Sequence, residues 1–90
     1  MIDEILDERG KRYGKFVDVA KATNDIQEAV FDNMKIDKLK LLKHDQSLAI
    51  EMICHKLARI AVGDPDYVDN WIDIAGYAQL VADRLQGNER

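Results

Sequence analysis

The fold is constrained most by one segment, Asp69–Ala78, and by the residues that follow it. The segment has the sequence DNWIDIAGYA. At about 100° per residue, this segment predicts a helix with one broad apolar face and an opposite side that carries Asp69 and Asp73 one turn apart. Gly76 lies on the carboxylate side. A glycine inside a helix costs roughly 1 kcal/mol relative to alanine, so we expect another group to approach the backbone closely there. Two interpretations follow: a core helix with surface acids, or a helix that carries a carboxylate site. The predicted apolar face consists of Trp71, Ile74, Ala78, Val81 and Leu85.

Two further segments have the apolar period of amphipathic helices. The first runs from Phe16 to about Asn33, and the second from the N-cap Asp45 to about Val62. We expect the first to bury Phe16, Val19, Ala20, Thr23, Ile26, Val30 and Phe31. We expect the second to bury Ala49, Ile50, Ile53, Cys54, Leu57, Ile60 and Ala61.

A short turn joins the last two predicted helices. Gly63 is placed to follow the end of one helix, and Asp64 and Pro65 are placed as the N-cap and first residue of the next. So short a connection predicts an antiparallel helical hairpin. The last helix is expected to end near Gln86, with Gly87 after it.

The remaining segments are shorter. Met1–Arg9 predicts a short helix, and Arg9–Lys15 predicts a basic, flexible turn because two glycines interrupt it. The lysine-rich connector 33–44 is expected to place a short helical turn on the core through Ile36, Leu39, Leu41 and Leu42. The predicted fold is therefore all-α. It is one domain over 1–90, with its core within about 7–86, three main helices and short N-terminal and connector helices.

Composition excludes several classes of function. A formal charge of −4 gives no electrostatic reason to expect binding to a nucleic-acid polymer. Cys54 is the only cysteine, which excludes an intrachain disulfide and suits a reducing cytoplasm. No apolar run reaches the roughly 18 residues of a membrane span, and the charged N-terminal segment does not resemble a signal peptide. We therefore expect a cytoplasmic protein with no membrane partner.

The predicted hairpin offers carboxylates for one metal site. Glu51, Asp69 and Asp73 could ligate one Mg²⁺ ion, with water completing an octahedron. The alternative is structural. Asp69 near a helix N-terminus is favoured by the helix dipole, and Asp73 could pair with Arg59 or Lys56 across the hairpin. The sequence leaves both interpretations open.

Cations are placed where they could hold phosphate groups. Lys56 and Arg59 follow Glu51 on the same helix, and Lys11 and Arg12 belong to the N-terminal turn. The alternative is that the turn is a solvated loop which positions the next helix, since clusters of Lys and Arg are common on surfaces.

Several of these stretches resemble a family of small helical proteins that is common in phages and prophages. The resemblance rests on RGKRYG at 9–14, AIEMI at 49–53, KLARI at 56–60, GDP at 63–65 and DNWIDIAGYA at 69–78. That family is related to the nucleotide-modification-associated group. It is similar, more distantly, to the MazG-like all-α enzymes that cleave nucleoside triphosphates between the α and β phosphates.

The resemblance implies a phage-type, MazG-like nucleotide-handling protein that forms a dimer or higher homo-oligomer in the host cytoplasm. Such enzymes hold Mg²⁺ with two acidic pairs, and here Asp69 and Asp73 match the second pair at a spacing of four rather than three. Glu51 alone matches the first pair, which favours phosphate binding over turnover. The predicted phosphate- and nucleotide-binding residues are Arg12, Tyr13, Lys56, Arg59 and Tyr77.

Whether the chain is a nucleoside triphosphate pyrophosphohydrolase or a degenerate, nucleotide-binding relative stays open at this point. The alternative function is a non-catalytic interaction protein that acts against host defence. Such a protein would bind a host protein or sequester a signalling nucleotide, and the exposed apolar residues of the connector 33–44 would be its contact surface.

Overall fold

The structure is a computed structural model that describes residues 1–88 and residue 90. Within those residues it contains five helices and no strand. The predicted all-α class, with three long helices and two shorter ones, is confirmed. The helices are α1 (Ile2–Tyr13), α2 (Phe16–Phe31), α3 (Ile36–Leu41), α4 (His44–Val62) and α5 (Val68–Leu85).

Helix α4 lies at the centre, and both α2 and α5 pack on it. The side of α4 that faces α5 carries Lys56, whose ammonium contacts α5. Cys54 and Ala58 are buried on roughly the opposite side by helical position, and they face α2. The fully buried apolar residues are small, namely Val19, Ala49, Cys54 and Ala58. Small residues allow close helix packing but bury little apolar area. Because α2 and α5 pack on opposite sides of α4, the three helices form a flat layer.

Helices α4 and α5 form the predicted antiparallel hairpin. Lys56 Nζ lies 3.0 Å from Asp73 Oδ2 near its middle. The guanidinium of Arg84 donates two hydrogen bonds of 2.8 Å to Asp45 at its open end. From the first pair to the second, the residue number falls on α4, from Lys56 to Asp45, and rises on α5, from Asp73 to Arg84. The two pairs therefore fix one antiparallel register.

The predicted start of α5 is wrong. The helix begins at Val68 with Tyr67 as its N-cap, and not at Pro65. Asp64 does not cap the helix, because its Oδ1 accepts a hydrogen bond of 2.9 Å from Asp66 N–H inside the turn. The Tyr67 N–H then donates to the Asp64 carbonyl at 3.2 Å, which closes this turn before the helix starts.

The predicted buried face of α5 is wrong at three of its five positions. Trp71 is 51% exposed, Leu85 is 61% exposed, and Ala78 is exposed between them. Only Ile74 and Val81 are half-buried as expected. The helix is rotated so that Asn70 and Asp73 share the side toward α4 with these two residues, while Trp71 faces away.

The expected close approach at Gly76 is also not found. A methyl group added at Gly76 would meet no atom within 4 Å in the described part of the chain. Gly76 is exposed, as is Leu80 one turn further along. The glycine is therefore not explained by packing inside the chain.

Helix α2 agrees with its predicted bounds within two residues, and most of its predicted core face packs inward. Phe16 and Ala20 are exceptions, because both are exposed. On α4, Leu57 and Ala61 are exposed although they were expected in the core. Ala58, absent from the predicted core, has no exposed surface.

The start of α4 differs from the prediction in its cap. Lys43, and not Asp45, is the N-cap residue. The Gln46 side-chain oxygen accepts a hydrogen bond of 2.9 Å from the Lys43 N–H, which satisfies a backbone donor at this end. Asp45 lies in the first turn and is held there by Arg84.

The two short helices also differ from expectation. Helix α1 continues through Gly10, so the predicted flexible turn over Arg9–Lys15 is wrong for all but its last residues. The chain leaves the helix at Gly14, whose φ of 88° favours glycine. The connector is helical as predicted, but Ile36 and Leu41 of α3 are exposed rather than packed on the core.

Candidate functional site

The end of α1 meets the α4–α5 turn at one corner of the layer. The Asp64 N–H donates a hydrogen bond of 2.9 Å to the Arg12 carbonyl, which ties the two backbones together. A Cβ at Gly63 would overlap the backbone of Tyr13, and a Cβ at Gly14 would overlap the side chain of Val62. Only glycine fits at these two positions, because the end of α1 and the α4–α5 turn lie too close together to leave room for a side chain. We call this region the corner.

Two tyrosines and two arginines form the surface of the corner. The rings of Tyr13 and Tyr67 meet edge to face, with centroids 5.7 Å apart and planes at 68°. The Arg59 guanidinium carbon lies 4.0 Å from the centroid of the Tyr13 ring. The Arg12 guanidinium carbon lies 4.8 Å from the Tyr67 centroid. Both cations are therefore held against aromatic rings.

A chain of hydrogen bonds fixes Arg12. Its Nε donates to Glu8 at 2.8 Å and its Nη1 donates to the Tyr67 hydroxyl at 2.8 Å. That hydroxyl in turn donates to Asp69 Oδ2 at 2.8 Å. These two bonds use two of the five N–H donors of a guanidinium.

The hydrogen bonds also set the charge states at the corner. The bond to Tyr67, followed by the bond to Glu8, raises the pKa of Arg12. The bond to Asp69 raises the pKa of the Tyr67 hydroxyl, although Arg12 acts in the opposite direction. At neutral pH the phenol therefore keeps its proton and Arg12 keeps its charge.

Arg59 differs from Arg12 in its partners. Among the described residues it contacts the Tyr13 ring but forms no ion pair with a carboxylate. A cation–π contact uses the charge of the guanidinium and not its N–H donors, which stay available to a ligand. An open groove of about 340 Å³ borders the corner and is lined by Glu4, Ile5, Glu8, Arg9, Arg12 and Tyr13.

Three of the five predicted phosphate- and nucleotide-binding residues, Arg12, Tyr13 and Arg59, lie together at the corner. Lys56 is separate from them, since it is buried and bonded to Asp73. Tyr77 is ten residues beyond the N-cap of α5, roughly 15 Å along the helix. It borders a second groove of about 320 Å³, lined by Asp45, Leu48, Ala49, Tyr77, Leu80, Val81, Arg84 and Arg90.

The predicted metal ligands are not gathered in the described residues. Asp69 accepts from the Tyr67 hydroxyl, Asp73 pairs with Lys56, and Glu51 is exposed on α4. Within the part of the chain that the structure describes, no group of three or more His, Cys, Asp and Glu side chains is placed to hold a metal ion. The arrangement of Asp73 is that of the structural alternative, a pair with Lys56 across the hairpin.

Histidine and cysteine add little reactive chemistry. Burial, followed by the charges of Arg59 and Lys56, lowers the pKa of His55, so its imidazole is neutral at neutral pH. Burial raises the pKa of the Cys54 thiol, which keeps it protonated and unreactive.

Sequence reasoning missed Tyr67 and Glu8, which complete the corner. The signal for Glu8 was present, because a carboxylate four residues before Arg12 on a helix favours an ion pair. The prediction of a turn over 9–15 excluded this pair, because the spacing brings Glu8 and Arg12 together only on a helix. Tyr67 has no local signal, because its ring reaches Arg12 only through the fold.

Comparison with known families places the chain. A sequence model described as a domain of unknown function (DUF6378) matches residues 2–85. The chain belongs to this family. No curated protein and no solved structure gives a match. In the described residues, every helix is too short or too polar to cross a lipid bilayer.

Proposed function

We propose that the chain is a nucleotide-handling protein that binds the phosphates of its ligand at the corner. The observation that carries this proposal is Arg59, stacked 4.0 Å above Tyr13 with no carboxylate partner among the described residues. A guanidinium has planar donors that match phosphate oxygens in pairs. Stacking holds it in place before the ligand arrives, which lowers the entropy lost on binding.

The other corner residues have supporting roles in this proposal. Arg12 is fixed by Glu8 and Tyr67, so its remaining donors and its charge add a second cation near the phosphates. Tyr13 and the groove along α1 provide an apolar surface for the base or sugar. Lys56 and Tyr77 have no role here, because each lies in a different part of the hairpin.

Magnesium binding remains a prediction from the carboxylates of the hairpin and from the resemblance, and hydrolysis is a prediction from the resemblance alone. With Asp73 bonded to Lys56 and Asp69 bonded to Tyr67, the arrangement supports phosphate binding better than metal-dependent turnover. We therefore propose that any Mg²⁺ arrives with the nucleotide, coordinated by its phosphates. Release of pyrophosphate would require Glu51, Asp69 and Asp73 to meet around that ion.

The test is a calorimetric titration of the full chain with a nucleotide panel that includes cyclic dinucleotides, with and without Mg²⁺. We expect a nucleotide to bind. We expect Arg59→Gln to lower the affinity for that nucleotide at least about 10-fold, because hydrogen bonds to a charged group are lost. Lys21→Gln is the matched control, since Lys21 is an exposed cation paired with Asp25 on α2. No binding by any nucleotide, or equal affinity for wild type and Arg59→Gln, would contradict the proposal.

A second candidate function is binding of a host protein through α3. Its supporting observation is that Ile36 and Leu41 are exposed on a helix that has few contacts with the rest of the chain. Capture of a host protein should then fail in Ile36→Ser/Leu41→Ser. It should survive in Asp69→Ala and in Arg59→Gln, which alter only the corner.

A further inference from the structure

The outward side of α5 carries an uncharged stripe. Its large apolar residues are half or more exposed, and the residues between them are alanines and the uncharged Gln79. Contiguous apolar surface of this kind on a small protein usually marks a contact surface. We call it the outer stripe: Val68, Trp71, Ile72, Ala75, Ala78, Ala82 and Leu85.

The outer stripe continues onto α4. In a helical projection of the antiparallel pair, Ile53, Leu57 and Ile60 fall on the same side of the layer as Trp71 and Ala78. Leu57 is exposed and the two isoleucines are half-buried. One face of the layer is therefore apolar across both helices of the hairpin. Domains normally cover such a face with a second layer.

The surface area indicates how much is left uncovered. The chain exposes 6804 Å², whereas a compact monomer of its mass of 10.3 kDa exposes about 5,400 Å². Its radius of gyration is 15.0 Å, against about 12 Å for a compact chain of this length. This surplus is spread over the whole molecule, including the exposed α1 and α3, and it exceeds the roughly 800 Å² that each partner buries in a standard interface.

We propose that a second copy of this chain covers the outer stripe, with the two α5 helices antiparallel across a two-fold axis near Ala78. Trp71 and Leu85 each lie seven residues from Ala78, so the axis places Trp71 of one copy against Leu85 of the other. The alanines between them allow the helix axes to approach closely, while the large residues fill the ends. This symmetry of large, small and large residues fits a self-complementary interface.

Two observations favour a protein surface over a membrane as the occupant, and the symmetry about Ala78 makes a second copy the protein that fits. The Trp71 indole N–H already donates 2.8 Å to the Pro65 carbonyl, so burying this ring leaves no unpaired donor. The chain carries a formal net charge of −4, so an anionic membrane surface would repel it.

The test is the solution mass of the full chain by analytical ultracentrifugation from about 1 to 100 µM. We expect twice the chain mass of 10.3 kDa. Ala78→Glu should weaken association at least about 30-fold, because it places a charge at the centre of the interface. Leu80→Glu is the matched control, since Leu80 is exposed on the other side of α5. A monomeric wild type, or dissociation by Leu80→Glu and not by Ala78→Glu, would overturn the proposal.

A cross-link keeps the test valid if Ala78→Glu disturbs folding. Ala78→Cys should form an intermolecular disulfide under mild oxidation, because the two-fold axis brings both copies of residue 78 together. Leu80→Cys should not, and Cys54 is buried and does not interfere. Equal cross-linking of both variants would refute the geometry. The inference is independent of nucleotide binding, because the corner is not part of the outer stripe, so either proposal can fail alone.

Discussion

The side of α5 that packs on α4 mixes polar and apolar residues, whereas the side that faces away is uncharged and mostly apolar. The packed side contains Asn70, which is 1% exposed, and the ion pair of Asp73 with Lys56. The outward side contains Trp71 and Ile72, both more than half exposed. An ordinary amphipathic helix turns its broadest apolar stripe to the core, and α5 does not. Polar contacts fix where α5 lies, and the apolar side is left for another surface.

The two sides also differ in what they contribute energetically. Partly exposed ion pairs contribute about 0–1 kcal/mol each, and a buried amide without a partner costs about 1–3 kcal/mol. Both side-chain atoms of Asn70 lack a hydrogen-bond partner among the described residues. The polar contacts of the packed side therefore supply register more than stability. Covering the apolar side would add the missing stabilisation and make Tm depend on protein concentration.

Two glycines of the hairpin give the largest expected contrast. Gly63→Ala should lower the free energy of unfolding by about 3 kcal/mol, because its Cβ would overlap the Tyr13 backbone. Gly76→Ala should raise it by up to about 1 kcal/mol, because the site is open and alanine favours the helix. Urea denaturation measures both. A tolerated Gly63→Ala would show that the corner is not closely packed.

The ion pair on the packed side should matter more than an exposed pair. Asp73→Asn should lower the free energy of unfolding by about 2 kcal/mol, since Lys56 is only 8% exposed and loses its partner there. Asp25→Asn breaks the exposed pair with Lys21 and should change the free energy of unfolding by less than about 0.5 kcal/mol. Equal losses of stability in Asp73→Asn and Asp25→Asn, measured by chemical denaturation, would show that the two ion pairs do not differ. Unchanged nucleotide affinity in Asp73→Asn would assign this carboxylate a structural role.

Asn70 offers a way to reverse the polarity of the packed side. Asn70→Leu should raise the free energy of unfolding by about 1 kcal/mol, because it replaces an unpaired buried amide by an apolar group of similar size. Asn24→Leu, at an exposed site on α2, is the control and should change stability by less than about 0.5 kcal/mol. Thermal denaturation measures both, and a clear loss of stability in Asn70→Leu would mean that the amide is satisfied.

The smallest expected effect concerns His55 on α4. Its pKa is lowered in the folded state by burial and by Arg59 and Lys56, so the folded protein binds fewer protons than the unfolded chain. Stability should therefore fall as the pH drops through the ordinary histidine value of 6.5. In His55→Gln this part of the pH dependence, measured by denaturation between pH 7.5 and 5.5, should be absent. An unchanged profile would assign the effect to other groups.

The candidate site was partly predictable from the sequence. Arg12, Tyr13 and Arg59 were chosen for their chemistry, and the fold brings them together through the contact of Gly63 with Tyr13. The sequence left Lys56 either as a phosphate ligand with Arg59 or, like Arg59, as a partner of Asp73. The fold pairs Lys56 with Asp73, because residues three apart on a helix differ by about 60° in direction. No local pattern indicates such a difference in partners.

The sequence by itself determined the helices, because backbone hydrogen bonds in a helix are local and the apolar period reports them. It determined the hairpin as well, since Gly63, Asp64 and Pro65 leave room only for a short turn. It did not determine which side of α5 faces α4. An apolar stripe shows that a helix has a surface to bury but does not show what buries it. Here the tertiary structure decided, through the ion pairs of Lys56 and Arg84 and the close fit at Gly63, and it turned the stripe outward.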